Sequence, residues 1–156
     1  MSNIQNKIKL NKPHDYLKYW RVIRYFMKRK YGLSTADLDF ILFLYQEERF
    51  SKDKFREFDK LLKWDVKRFE RLRKDGWITV FRIKRGNRKA LYEISHRGKR
   101  VADSIYKKLS GEEIPETRNG NPMFKKNVGF SDKVYRNMII EMNAATRQRR
   151  HQAPES

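Results

Sequence analysis

Cysteine is absent from the 156 residues of this chain. That excludes disulfides, thiol redox chemistry and every zinc or iron–sulfur site built on thiolates, and it fits a reducing interior. Histidine is nearly as scarce. His14, His96 and His151 fall at an arm boundary, a helix start and a tail, a spacing that suits neither a metal site nor a catalytic triad. No glycine-rich loop opens a helix to cradle a phosphate. The expectation is a protein that is not an enzyme and carries no metal or other cofactor. Long uncharged apolar runs are missing as well: nothing approaches the roughly 18 residues of a membrane span. The opening MSNIQNKIKLNKP has no apolar segment of signal-peptide type. These absences lead us to expect a soluble, cytoplasmic protein without a membrane partner.

Acid is the last thing in short supply. Lysine and arginine number 38 against 19 aspartates and glutamates, a net charge of +19 with an isoelectric point near 10.2. Solubility alone needs far less charge than this, so a polyanionic partner is implied. Nucleic acid, an anionic membrane surface and an acidic protein all satisfy that condition, and charge alone does not choose among them. The length suits one ordinary domain with a real core and some peripheral structure.

The chain divides by composition and period. Residues 1–13 read as a flexible basic arm ending at Pro13. A first helix follows over about His14–Tyr31, and its apolar positions spread much wider than one core-facing stripe, which suits a helix that buries two sides. Ser34 with Asp37 three residues on forms a capping pair for the next helix, with Leu38, Ile41, Leu42 and Tyr45 inward. Ser51 caps a third helix bearing Phe55, Phe58 and Leu62. A fourth begins near Asp65, with Val66, Phe69 and Leu72 inward, and Gly76 ends it. There the period changes from about 3.6 to 2, and two strands flank an Arg-Gly-Asn turn within FRIKRGNRKALYEIS, residues 81–95. Ser95 caps a further helix to about Leu109, whose exposed face is expected to carry Arg97, Lys99, Arg100, Lys107 and Lys108. Residues 111–131 have glycine, proline and asparagine punctuation and read as a long connection. A last helix is expected over 132–147, followed by a basic, disordered tail over 148–156.

Helix, helix, helix, helix, hairpin, helix, connection, helix is mainly α with a two-stranded β-wing. It is the order of a winged helix-turn-helix, in which the second helix of the central pair enters a major groove and the wing reaches beside it. The winged-helix domain would span residues 14–110. The segment KWDVKRFERLRK, residues 63–74, carries six basic and two acidic residues on the element so placed. With its apolar positions inward, Arg68 and Arg71 become candidates for guanine edges, and Lys63, Lys67 and Lys74 for phosphates. On the wing, Arg82, Arg85, Arg88 and Lys89 are candidate backbone or minor-groove contacts. Double-stranded DNA is the partner this layout favours; the sheet-borne aromatics of common RNA modules are missing.

From Leu33 to Leu109, about half of the chain, the sequence resembles the MarR family of winged-helix regulators. LRKDGWI, residues 72–78, is similar to the family's Leu-x-x-x-Gly-Leu-Ile at the end of the recognition helix. YEISHRGKRVADSI, residues 92–105, resembles its apolar strand running into Leu-Thr-x-x-Gly, and LSTADLDFILFL, residues 33–44, its Leu-Thr-x-x-Gln-Phe-x-Val-Leu. The resemblance implies a homodimer built from the first and last helices, which would place Tyr16, Trp20, Ile23, Tyr135, Met138, Ile139 and Met142 at the interface. It also implies a minor-groove arginine at Arg88. Many relatives bind a small-molecule effector, for which no residue here can be carried over. The chain departs from the family pattern in three places. Gly86 stands where an aspartate usually orients the wing arginine, Asp65, Lys67 and Arg68 replace small residues in the first turn of the recognition helix, and the connection before the last helix is longer. The function expected is a dimeric, nucleoid-associated transcriptional regulator. The alternative is a phage-encoded architectural or virion protein that uses the same dimer for nonspecific binding or scaffolding, because the positive charge extends over the arm, the fifth helix and the tail as well.

Overall fold

The computed structural model describes residues 16–62 and 66–152. Its elements are α1 (Tyr16–Tyr31), α2 (Thr35–Tyr45), α3 (Lys52–Leu62), α4 (Val66–Lys74), β1 (Ile78–Arg82), β2 (Leu91–Ile94), α5 (His96–Leu109) and α6 (Phe130–Gln152), with one 3-10 turn at Pro122–Phe124. The fold is mainly α with a two-stranded antiparallel hairpin, and the helix pair α3/α4 followed directly by that hairpin is a winged helix-turn-helix. The chain forms two compact units, one being Gly32–Ile105 and the other joining the segment before it to the segment after it.

In the central unit, Ser34 starts α2 as a full capping box. Its Oγ accepts from the Asp37 amide at 3.1 Å, and Asp37 Oδ2 accepts from the Ser34 amide at 3.0 Å. The sequence LDFILFLY is apolar almost all round, and α2 buries Phe40 and Leu44 besides the expected Leu38 and Ile41. Phe40 begins an aromatic cluster that locks four elements together. Phe55 of α3 lies 5.1 Å from it, Phe69 of α4 lies 5.2 Å from Phe55, and Tyr92 of β2 meets Phe69 edge-on at 5.0 Å. Each such pair adds about 0.5–1.5 kcal/mol beyond the area it buries. The cluster therefore fixes the helix pair and the root of the wing as one body.

α4 ends where the sequence placed its stop. The Trp77 amide donates to Leu72 O at 2.9 Å and the Gly76 amide to Arg73 O at 3.1 Å, with Gly76 at φ 84°. This is a Schellman closure, which needs a left-handed residue that only glycine adopts without strain. Ser95 likewise caps α5, its Oγ accepting from the Gly98 amide at 3.1 Å. The expected alternation along the first strand holds less well. Trp77 and the adjacent Ile78 are both buried, whereas Thr79, Val80 and Phe81 are exposed. The register shifts between Val80 and Arg82, a bulge that turns consecutive residues to one side. Beyond it the wing has no core beneath it, and Ile83 is 62% exposed.

The second unit is built on α1 and α6. Tyr25 stacks on Tyr135 with ring centroids 3.9 Å apart, and its hydroxyl donates to Asp132 Oδ1 at 2.5 Å. Arg29 meets the other oxygen of Asp132 at 3.0 Å. Burial, then the hydrogen bond to Asp132 and its charge, push the Tyr25 hydroxyl up to about 12. Two expectations are corrected here, the bounds of the last helix and the exposure of Lys108, and the connection gains a definite structure. The last helix starts at Phe130 and runs to Gln152, so residues 148–152 are helical and not part of a tail; the arm and residues 153–156 lie outside the described residues. The connection is anchored: Asn143 on α6 accepts from the Ile114 amide at 2.9 Å and donates to its carbonyl at 2.8 Å, and Ile114, Asn121 and Met123 are buried. Lys108, expected on the exposed face of α5, is 6% exposed, because its stem is covered while its Nζ reaches Glu112 at 3.0 Å.

Candidate nucleic-acid interface

The positions of the expected contact residues follow from which face of α4 packs. Phe69 and Leu72 are buried, so Lys67 and Lys74 stand on the solvent side of the helix, both exposed. Lys63 lies outside the described residues. On the wing, the Arg85 amide donates to Arg88 O at 3.1 Å and the Arg88 amide to Arg85 O at 2.9 Å. Those reciprocal bonds close a two-residue turn whose first central position, Gly86, has φ 55°. A tight turn of that kind carries glycine first, which explains why no acid stands there. Arg85 and Arg88 flank the tip and both are exposed.

Two consecutive residues at the start of α3 bind the wing and α4 to the same point. Lys52 Nζ pairs with Glu70 of α4 at 2.8 Å, and Asp53 accepts from Lys89 of the wing. The ammonium of Lys89, through its hydrogen bond and then its charge, holds the Asp53 carboxyl below the usual carboxylate range. Arg73 adds a guanidinium 5.7 Å above the Tyr92 ring, and Arg82 reaches across the hairpin to Lys89 O at 3.1 Å. α4 and the basic hairpin are thereby neighbours within one compact unit.

The arginines expected to read bases are placed differently. Arg71 Nη2 and Nη1 reach Asp37 Oδ1 and Oδ2 at 2.6 and 3.4 Å. Arg68 Nη1 lies 3.7 Å from Oδ1 of the same carboxylate. Asp37 is 1% exposed. Burial alone would raise its carboxyl, but the Arg71 guanidinium and the Ser34 amide and hydroxyl outweigh that and hold it low. Arg68 and Arg71 therefore tie α4 to the start of α2, with the Arg68 side chain 24% and the Arg71 side chain 48% exposed. Sequence inspection read Asp37 as a cap only; what it could not supply was that α4 crosses that cap.

Of the residues expected at a dimer interface, Ile23, Ile139 and Met142 are buried within the chain's own core, so they can support such an interface only from beneath. Trp20, Tyr135 and Met138 are half-buried, and the side chain of Tyr16 lies outside the described residues. Leu17 and Phe130, each 82% exposed, together with Val134 and Ile140, present further apolar surface on α1 and α6. Among the described residues no group of histidine and carboxylate side chains could hold a metal, and no helix is long and apolar enough to cross a membrane.

No protein-family model matches the chain, and no curated protein does so. Among solved structures, a mutant of MarR from E. coli complexed with operator DNA aligns with TM-score 0.44 and 14% identity, covering 80% of this chain and 84% of that one.

Proposed function

We propose that the protein binds double-stranded DNA, with α4 in a major groove and the tip of the wing on the adjacent backbone or minor groove, and that it serves as a transcriptional regulator. The observation that carries this reading is the tie at Lys52 and Asp53, which sets the exposed side of α4 beside a basic hairpin in a chain of net charge +19. Lys67 and Lys74 would meet phosphates from the helix, and Arg85 and Arg88 would do so from the wing tip, with Arg82 and Lys89 behind them. A helix of this radius fits the major groove, and guanidinium groups suit the narrow minor groove. Such a protein would work in the cytoplasm, on the nucleoid.

The reading includes a homodimer through α1 and α6. It is supported by Leu17, Phe130, Val134 and Ile140, large apolar side chains left exposed on those two helices. Two copies would set two copies of α4 about one helical turn of DNA apart, on a site with two-fold symmetry. Sedimentation at micromolar concentration should give a dimer; a monomer there removes the role given to α1 and α6.

Selection from random duplexes at about physiological salt tests the function. A regulator enriches a roughly palindromic site and keeps a preference of about a thousandfold or more over random sequence. Failure to enrich any site favours the second reading, nonspecific architectural binding. The hold of Asp37 on Arg68 and Arg71 supports that second reading, because both guanidinium groups are already engaged by a carboxylate within the chain. In either case Arg88→Ala should weaken duplex binding and lower the salt slope by about 0.9; unchanged affinity and slope would take the wing tip out of the interface.

A further inference from the structure

We propose that Asp37 sets how this protein uses the arginines of α4, withholding Arg71 and Arg68 from the duplex so that the helix grips DNA through its lysines. The proposal rests on the DNA-binding reading above and adds to it the residue that decides between reading and gripping.

Two observations and two physical arguments lead to it. Asp37 is 1% exposed and takes both terminal nitrogens of Arg71, at 2.6 and 3.4 Å, while the Arg71 side chain stays 48% exposed, so a fork onto a base or phosphate through those two nitrogens has to compete with the carboxylate. Arg68, three residues earlier on the same side of α4, has Nη1 at 3.7 Å from the same carboxylate and is drawn inward to 24% exposure. The carboxylate also offsets one of the two positive charges where binding to a polyanion depends on charge. Finally, pulling Arg71 out to a phosphate would leave a buried carboxylate short of its partner, which is costly in a way that a solvated phosphate contact does not return.

The charge is not needed for the other task Asp37 performs. As the third residue of α2 it accepts from the Ser34 amide, and a neutral amide oxygen can do that equally. Asp37→Asn therefore keeps the acceptor that closes the capping box and removes the hold on the arginines.

The experiment compares wild type, Asp37→Asn, Arg71→Gln, the double variant and Glu141→Gln on one duplex across a salt series. Glu141 is exposed on α6, so Glu141→Gln changes the net charge by the same unit at a distant place. We expect Asp37→Asn to steepen the log–log salt slope by about 0.9 per released arginine, a gain of roughly 3.5-fold more at 50 than at 200 mM salt. Arg71→Gln should leave the wild-type slope unchanged but return the slope of Asp37→Asn toward wild type. An unchanged or shallower slope for Asp37→Asn overturns the proposal; a shallower one would mean that Asp37 aims Arg71 at DNA. Should Asp37→Asn fail to fold, Arg71→Gln alone decides, since losing one contact from wild type would refute withholding. Absence of duplex binding by wild type would overturn the DNA reading itself. Withholding is then judged by elution from immobilised heparin, where Asp37→Asn must elute at higher salt than Glu141→Gln, and equal elution overturns it.

Discussion

Gly98 is the third residue of α5, and a methyl group there has nowhere to go. An ideal Cβ would lie 2.5 Å from Ile94 Cγ2 and 3.0 Å from Trp77 O. Neither neighbour can yield easily. Ile94 and Trp77 are buried in the root of the wing, and Trp77 O already accepts from the Ser95 amide at 3.0 Å, so retreat would break a rung of the hairpin. Overpacking of this kind costs about 1–3 kcal/mol. Alanine returns at most about 1 kcal/mol over glycine in a helix, and less in a first turn. Gly98→Ala should therefore destabilise the protein by about 1–2 kcal/mol. At about 2–4 °C per kcal/mol for a chain of this size, the melting temperature should fall by roughly 2–8 °C. Urea unfolding followed by circular dichroism measures it. If Gly98→Ala proved as stable as wild type or more so, the close packing of α5 on the hairpin would be refuted.

Asn143→Ala should strand the buried amide and carbonyl of Ile114, at about 1–3 kcal/mol for each group; a lower urea midpoint and faster proteolysis within residues 111–129 would check it. Tyr25 has its hydroxyl raised from 10.0 to about 12, so its contribution to stability is complete below pH 10 and disappears as pH rises through about 12. Tyr25→Phe should flatten that alkaline decline in melting temperature relative to wild type. Asp37 is depressed in the folded state, so its contribution is complete above its unfolded value, near 3.9 for a free aspartate, and is lost as pH falls through the folded one. Acid unfolding of Asp37→Asn should accordingly be less steep, and an identical acid limb in both proteins would contradict the ion pair. Ser34→Ala removes the hydroxyl from the same capping box and should lower stability by about 1 kcal/mol in urea unfolding.

Local patterns determined most of the architecture. The elements from α2 to α5 were legible because their signals are short in range: Ser34 and Ser95 as caps, Gly76 as a left-handed stop, and a change of period at Trp77 that turns helix into hairpin. The basic character of α4 and of the wing is equally a property of the sequence. So is the glycine of the tip, whose φ of 55° is what so tight a turn demands. Tertiary structure decided what sequence spacing cannot carry. Which side of α4 an arginine occupies follows from its neighbours, but its partner on α2 follows from packing, which sets Arg68 and Arg71 against a buried carboxylate. The same holds for Asn143, which looks like one polar residue on a helix until residue 114 arrives beside it, and for Ile23, Ile139 and Met142, whose apolar stripe could have faced a second copy but is consumed within the chain. Caps, turns and periods are written within about four residues. Ion pairs and cores join residues that only the folded chain brings together, and the burial that makes Asp37 matter is a property of the fold and not of any stretch of the sequence.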